Sequence, residues 1–79
     1  MTPLNDVKLS SLIPGQHGTI HAIHAEHALH QRLNAMGFRI GKKIQLIRRA
    51  NFNGPLHVRI GATDIILRDI EAQRIQLAA

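Results

Sequence analysis

The chain has 79 residues, 44% hydrophobic and 19% charged, which suits one small folded domain, residues 1–79, with little room for a deep catalytic cleft. It contains no cysteine, so disulfides, thiolate metal sites and cysteine nucleophiles are excluded, and no stretch resembles a signal peptide or a membrane-spanning helix, which leads us to expect a cytoplasmic protein. Ten Lys and Arg residues against five Asp and Glu residues give a net charge of +5 at pH 7, which favours an acidic partner: nucleic acid, an anionic membrane or an acidic protein surface.

The N-terminal part of the chain is predicted to form short strands. A first strand begins near Val7, and residues 17–23 have the composition of a second strand. Strict alternation would place Ile20 and Ile23 on opposite faces of this second strand. A β-bulge or an early end of the strand near residues 21–22 would bring both side chains to one face.

One helix is predicted, from about residue 25 to residue 36. Leu29 and Leu33 recur at the i, i+4 spacing of an apolar helical stripe. Gly37 fits the left-handed position just beyond the helix end, and Phe38 then lies where a Schellman cap brings an apolar side chain back onto Leu33. The sequence therefore predicts both the helix and the way it ends.

The second half of the chain is predicted to be strands separated by short turns. Apolar and polar residues alternate at about residues 43–46, 56–60 and 64–68, and again at residues 74–77. Residues 69–72 are predicted to form a single tight turn. Five or six short strands with one inserted helix indicate a mainly β fold, a small barrel.

The sequence HAIHAEHALH, residues 21–30, has a histidine at every third position. Residues three apart do not converge on an ideal helix, and they lie on opposite faces of a strand, so the regular spacing does not build a site. Pairs of these side chains can still share a face. Two interpretations remain open: they are solvated surface residues, or they bind a labile divalent metal, zinc or ferrous iron, at the surface or between subunits. The candidate ligands are His17, His21, Glu26, His27 and His30.

Motifs of enzymatic chemistry are absent from the sequence, so we expect no catalytic residues and no enzyme activity. The segment Gly37 to Lys43 has one residue too few between its glycines for a phosphate-binding loop and lacks the hydroxyl residue after the lysine. His24-Ala25-Glu26 matches half of a deaminase signature whose cysteine ligands are missing. No cofactor is expected to be required.

Nucleic acid binding is the main alternative suggested by the basic composition. Against it, single-strand binding relies on aromatic stacking, and the chain has only two aromatic residues, Phe38 and Phe52. The basic side chains are then explained as outward-facing strand residues that keep a small barrel soluble. The basic residues that one side of such a barrel would present are Lys42, Lys43, Arg48, Arg49, Arg59 and Arg68.

Three stretches of the sequence, taken together, resemble the FeoA family of ferrous-iron transport accessory proteins. They are LSSLIPGQHGTIHAI, HALHQRLNAMGFRIGKKIQLIRR and NGPLHVRIGATDIILRDIEAQRIQL, which follow the family's order of glycines and aliphatic residues over about residues 7–78. The matching positions are structural, so no catalytic residue and no metal ligand carries over. Ile40 and Ile66 depart from the family pattern, in which proline and a small residue are usual.

The resemblance implies an SH3-like fold and a non-enzymatic cytoplasmic protein recruited to the inner face of the membrane by FeoB, the ferrous-iron transporter. Docking on the cytoplasmic GTP-binding part of FeoB would support or regulate transport, by a monomer or a metal-dependent dimer. The residues expected to contact this partner are Arg48, Arg49, Arg59, Ile66 and Arg68. A small basic SH3-like module that binds nucleic acid remains the alternative, and a metal-sensing domain like those of metal-dependent repressors is a third.

Overall fold

A computed structural model describes residues 6–78 as a mainly β fold with two helices. The six strands are β1 (Asp6–Lys8), β2 (His17–Ile23), β3 (Lys43–Arg49), β4 (Leu56–Ile60), β5 (Thr63–Leu67) and β6 (Ile75–Ala78). The helices are α1 (His27–Ala35) and α2 (Asp69–Ala72), and a 3₁₀ turn covers Leu9–Ser11. The number of strands and the single long helix confirm the prediction.

The strands form one antiparallel sheet in the order β1-β6-β2-β3-β4-β5. Within residues 6–78 the two outermost strands, β1 and β5, do not pair with each other, so strand pairing does not close the predicted small barrel. The pairing of β2 with β6 shifts register between Ile20 and Ala22, which confirms the predicted bulge. As a result Ile20 is buried, and Ile23 also packs on the core.

Helix α1 is shorter than the predicted segment 25–36. The His24 amide donates a hydrogen bond to the Arg74 carbonyl at 2.7 Å, which extends the pairing with β6 and keeps this part of the chain out of the helix. Glu26 therefore serves as the N-cap with extended backbone (ψ 166°), and Met36 is the C-cap. The pairing of the preceding strand, rather than helix propensity, decides where α1 begins.

The predicted Schellman cap closes α1. The Phe38 amide donates to the Leu33 carbonyl at 2.9 Å and the Gly37 amide to the Asn34 carbonyl at 3.0 Å, with Gly37 at φ +102°. Phe38 and Leu33 are both completely buried. The helix end thereby anchors α1 to the core under the sheet.

The core is a single apolar cluster to which nearly every element contributes. Its buried side chains are Leu9, Leu12, Ile20, Leu33, Phe38, Ile44, Leu46, Leu56, Val58, Ile60, Leu67, Ala72, Ile75 and Leu77. In β4 the predicted alternation is exact, because Leu56, Val58 and Ile60 face inward while Arg59 is exposed. The outward positions of β3, β4 and β5 are thus free for contacts with other molecules.

Candidate docking surface

The outward side chains of β3, β4 and β5 lie in two rows. In the first row Arg48 is opposite His57, which is opposite Ile66. Directly opposed residues of antiparallel strands project from the same face of a sheet, so these three side chains are neighbours. We call this surface, with the second row described below, the outer face. Ile66 is its apolar centre and is 63% exposed.

The second row of the outer face contains Gln45, Arg59 and Asp64. The Arg59 guanidinium holds the Asp64 carboxylate in a bidentate pair, with Nε 2.6 Å from Oδ1 and Nη2 3.1 Å from Oδ2. The hydrogen bond from Arg59, assisted by the neighbouring His57, lowers the pKa of Asp64 to about 2. The same contact raises the pKa of Arg59 above its ordinary value.

His57, in the first row, also reaches the second row. Its Nε2 atom is 3.0 Å from Oδ2 of Asp64, but this buried nitrogen has no partner in hydrogen-bonding geometry. The imidazole is therefore placed to form an ion pair with Asp64 when it is protonated. The sequence predicted a strand over residues 56–60 but no partner for His57, because its neighbour Asp64 comes from the next strand.

A bulge in β3 decides which arginine belongs to the outer face. The pairing with β4 changes register between Leu46 and Arg48, so Ile47 is the extra residue. In a strand without the bulge, alternation from the buried Leu46 would point Arg48 inward and Arg49 outward. The bulge reverses the two, and Arg48 is exposed.

Arg49 lies on the inner side, away from the other predicted contact residues. Its Nη1 atom is 3.1 Å from Oδ1 of Asp69, and its Nη2 atom donates to the Ser10 carbonyl and, at 3.5 Å, to the Leu12 carbonyl. These bonds join the end of β3 to α2, to the 3₁₀ turn and to the residue after that turn. The Arg49 guanidinium is therefore already bonded within the protein. It is less available to a partner than the sequence predicted.

Arg68 is exposed one residue beyond β5. Its backbone N–H donates to Oε1 of Glu71 at 2.9 Å, and this bond caps α2. Glu71 is only 5% exposed, and its other oxygen pairs with Nη2 of Arg32 on α1 at 2.7 Å. Sequence reasoning missed this link between the helices, although a glutamate three residues after the N-cap is a recognisable capping signal.

The candidate metal ligands lie on several elements. His17 is exposed at the start of β2 opposite Gln45, and His21 is at the β2 bulge, which removes the strand geometry that would have put the two on one face. Glu26 precedes α1, and His27 and His30 lie on it. Among the side chains of residues 7–78, no group of three or more His, Asp or Glu residues is arranged to hold a metal ion.

Neither helix within the described range is long and apolar enough to cross a membrane. No curated protein sequence matches the chain. The family model of the FeoA domain matches residues 7–79.

Solved structures of FeoA proteins have the same fold. An iron uptake regulatory protein (FeoA) is 27% identical with a TM-score of 0.85, and the match covers 92% of this chain and 96% of that one. Iron(II) transport protein A from Clostridium thermocellum is 34% identical with a TM-score of 0.85, covering 91% of this chain and 45% of that one.

A third solved structure, FeoA from Stenotrophomonas maltophilia, is described as a procaryotic SH3 domain protein complexed with zinc. It is 29% identical with a TM-score of 0.75, and the match covers 87% of this chain and 86% of that one. This similarity confirms the predicted SH3-like fold. Since the family model spans nearly the whole sequence and the solved FeoA structures superpose on it, the chain belongs to the FeoA family, which is associated with ferrous iron transport.

Proposed function

We propose that this protein is a non-enzymatic cytoplasmic accessory protein of bacterial ferrous iron uptake that docks on the cytoplasmic GTP-binding part of a FeoB transporter. The observation that carries this proposal is the outer face, where the exposed Ile66 lies on the sheet near Arg48 and Arg59. The FeoA family membership supplies the transport system. The FeoA proteins with solved structures include one described as possibly a bacterial ferrous iron transport activating factor.

The chemistry of the outer face favours a protein partner with an acidic surface. Arg48, Arg59 and Ile66 are exposed together, and arginine is enriched in protein interfaces because its guanidinium offers several donors with a partly apolar stem. Among the side chains described, those of residues 7–78, no carboxylate forms an ion pair with Arg48, whereas Asp64 already neutralises Arg59. Of the two arginines on the outer face, Arg48 is therefore the one whose charge is available to an acidic partner.

The experiment is an amide-shift NMR titration of this protein with the cytoplasmic domain of its cognate FeoB. We expect saturable shifts concentrated in β3, β4 and β5, and at least a tenfold loss of affinity for Ile66→Asp, because a charge would replace the apolar centre. The matched control is Ile40→Asp, since Ile40 is 70% exposed but precedes the opposite end of β3.

Three results are distinguishable. Equal weakening by both aspartate variants would remove the outer face as the docking surface. Absence of any shift at protein concentrations of about 0.1 mM would overturn a stable contact with this domain. Loss of binding for Ile66→Asp alone, with a preserved amide spectrum of the free variant, would establish the surface.

A further inference from the structure

The loop between β3 and β4 exposes a large apolar side chain at its tip. The Gly54 amide donates to the Asn51 carbonyl at 3.1 Å, and the Ala50 amide donates to the Pro55 carbonyl at 3.0 Å, so the loop is a closed hairpin turn. Phe52 occupies its tip and is 100% exposed, the highest value among the exposed large apolar side chains of residues 6–78.

The conformation of this turn is unfavourable for phenylalanine. Phe52 and Asn53 have φ values of +59° and +57°, both in the left-handed region, where asparagine and glycine are tolerated and a bulky side chain is strained. Neither burial nor backbone preference therefore explains Phe52. A residue that opposes both is expected where it makes a contact outside the chain.

A basic and a second apolar side chain lie beside this turn. Residues 53–55 line a shallow groove together with residues 68–70. Ile70, on the first turn of α2, is 62% exposed, and Arg68 is exposed just before it. We call Phe52, Arg68 and Ile70 the Phe52 tip. It contains two exposed apolar side chains, Phe52 and Ile70, and one cation, Arg68.

The charges around the Phe52 tip match an anionic surface. In the described part of the chain no carboxylate pairs with Arg68, and the nearby Asp69 is already neutralised by Arg49. The whole chain carries a net charge of +5. A projecting aromatic ring beside an unneutralised arginine is the arrangement that enters the headgroup region of an anionic bilayer, where the ring leaves water and the cation stays among phosphates.

We propose that the Phe52 tip binds the anionic lipid surface of the membrane. This contact is separate from the outer face, because Phe52, Arg68 and Ile70 belong to neither of its two rows. It assigns Arg68, which the sequence placed among the transporter contacts, to lipid instead. The tip also contains two positions, Phe52 and Ile70, whose exposure in solution is relieved when a bilayer covers them. One ring and one cation make a weak, reversible contact, which suits a protein held at the membrane only in company with a second attachment.

The sequence offers a direct probe, since it contains no tryptophan or tyrosine. A Phe52→Trp variant has a single fluorophore at the tip. The control is Ile13→Trp, because Ile13 is 62% exposed and residues 9–20 contain no lysine or arginine. Each variant is mixed with vesicles of phosphatidylglycerol and phosphatidylcholine, or of phosphatidylcholine alone, at low salt. With the anionic vesicles, but not with phosphatidylcholine alone, we expect a blue shift and protection from acrylamide for Phe52→Trp. We expect no change for Ile13→Trp with either kind of vesicle.

Two further variants exclude an artefact of the added tryptophan. The first is Phe52→Asn, because asparagine is tolerated in the left-handed conformation of this turn. The second is Arg68→Glu. Each should lower co-sedimentation with anionic vesicles several-fold relative to the natural chain. Equal shifts of both tryptophan variants, or none with vesicles, would overturn the proposal. A fluorescence shift of Phe52→Trp that appears only on addition of the FeoB domain would also overturn the proposal and assign the tip to a protein contact. Vesicle binding without docking on FeoB would instead contradict the proposed function and leave the lipid contact standing.

Discussion

Asp64 shows how a single side chain on a small sheet couples charge to folding. Its carboxylate lies between Arg59, with which it forms two hydrogen bonds, and His57, whose imidazole nitrogen is 3.0 Å away. Both neighbours come from β4, and the Arg59 contact is a cross-strand pair of the β4–β5 hairpin. The lowered pKa of Asp64 thus depends on the register of the β4–β5 hairpin.

The lowered pKa of Asp64 predicts a loss of stability in acid. An aspartate with a pKa of 3.8 when unpaired and about 2 in the folded protein stabilises the fold above pH 4, and this contribution disappears as the pH falls through 2. Urea unfolding between pH 5 and pH 2 should therefore show a smaller decline for Asp64→Asn than for the natural chain. Parallel declines of the two proteins would contradict the pairing.

At the scale of secondary-structure elements, the β3 bulge is the feature with the widest consequence. It separates two adjacent arginines, so that Arg48 faces outward while Arg49 binds Asp69 and the carbonyls of Ser10 and Leu12. One strand irregularity thereby provides both a candidate contact residue and an internal clamp between β3 and α2.

The two arginines give a matched pair of substitutions. Arg49→Ala leaves partly buried polar groups without their partner and should lower the free energy of unfolding by about 1–3 kcal/mol. Arg48→Ala removes an exposed side chain and should change it by less than about 0.5 kcal/mol. The measurement is chemical denaturation of both variants. Equal effects, or a larger effect at Arg48, would show that the bulge lies elsewhere.

At the scale of the whole molecule, the distribution of histidines bears on assembly. His17 adjoins the outer face, whereas His27 and His30 belong to α1. Within the described part of the chain these side chains are not gathered into a set of three ligands, so a metal ion held firmly at them requires ligands from a second molecule. The related Stenotrophomonas maltophilia protein was crystallised with zinc, which makes the question an experimental one.

We expect equimolar zinc to leave the molecular mass of this protein unchanged in solution, because solvated histidines explain the stretch without a site. Light scattering after size-exclusion chromatography, with and without zinc, measures this directly. A dimer that forms with zinc, reverts with a chelator and is lost in His27→Ala would instead establish an inter-subunit metal contact.

Much of this fold follows from the sequence because its signals are local. The apolar stripe of α1, the glycine beyond its end and the alternation in β4 each depend on residues within one or two turns of one another. Even the β2 bulge was predictable, since Ile20 and Ile23 are both apolar at a spacing that a regular strand does not allow. The order of glycines and aliphatic residues was sufficient to indicate the family.

The candidate surface needed the tertiary structure because it depends on which distant residues meet. Ile47 has no local feature that marks it as a bulge, yet it decides which arginine is exposed. The sequence identified Arg48, Arg59 and Ile66 as outward residues, but only the pairing of three strands makes them neighbours. Local periodicity determines the strands and the core of this protein, whereas register and chain packing alone decide that Arg49 is a clamp and that Phe52 remains in solvent.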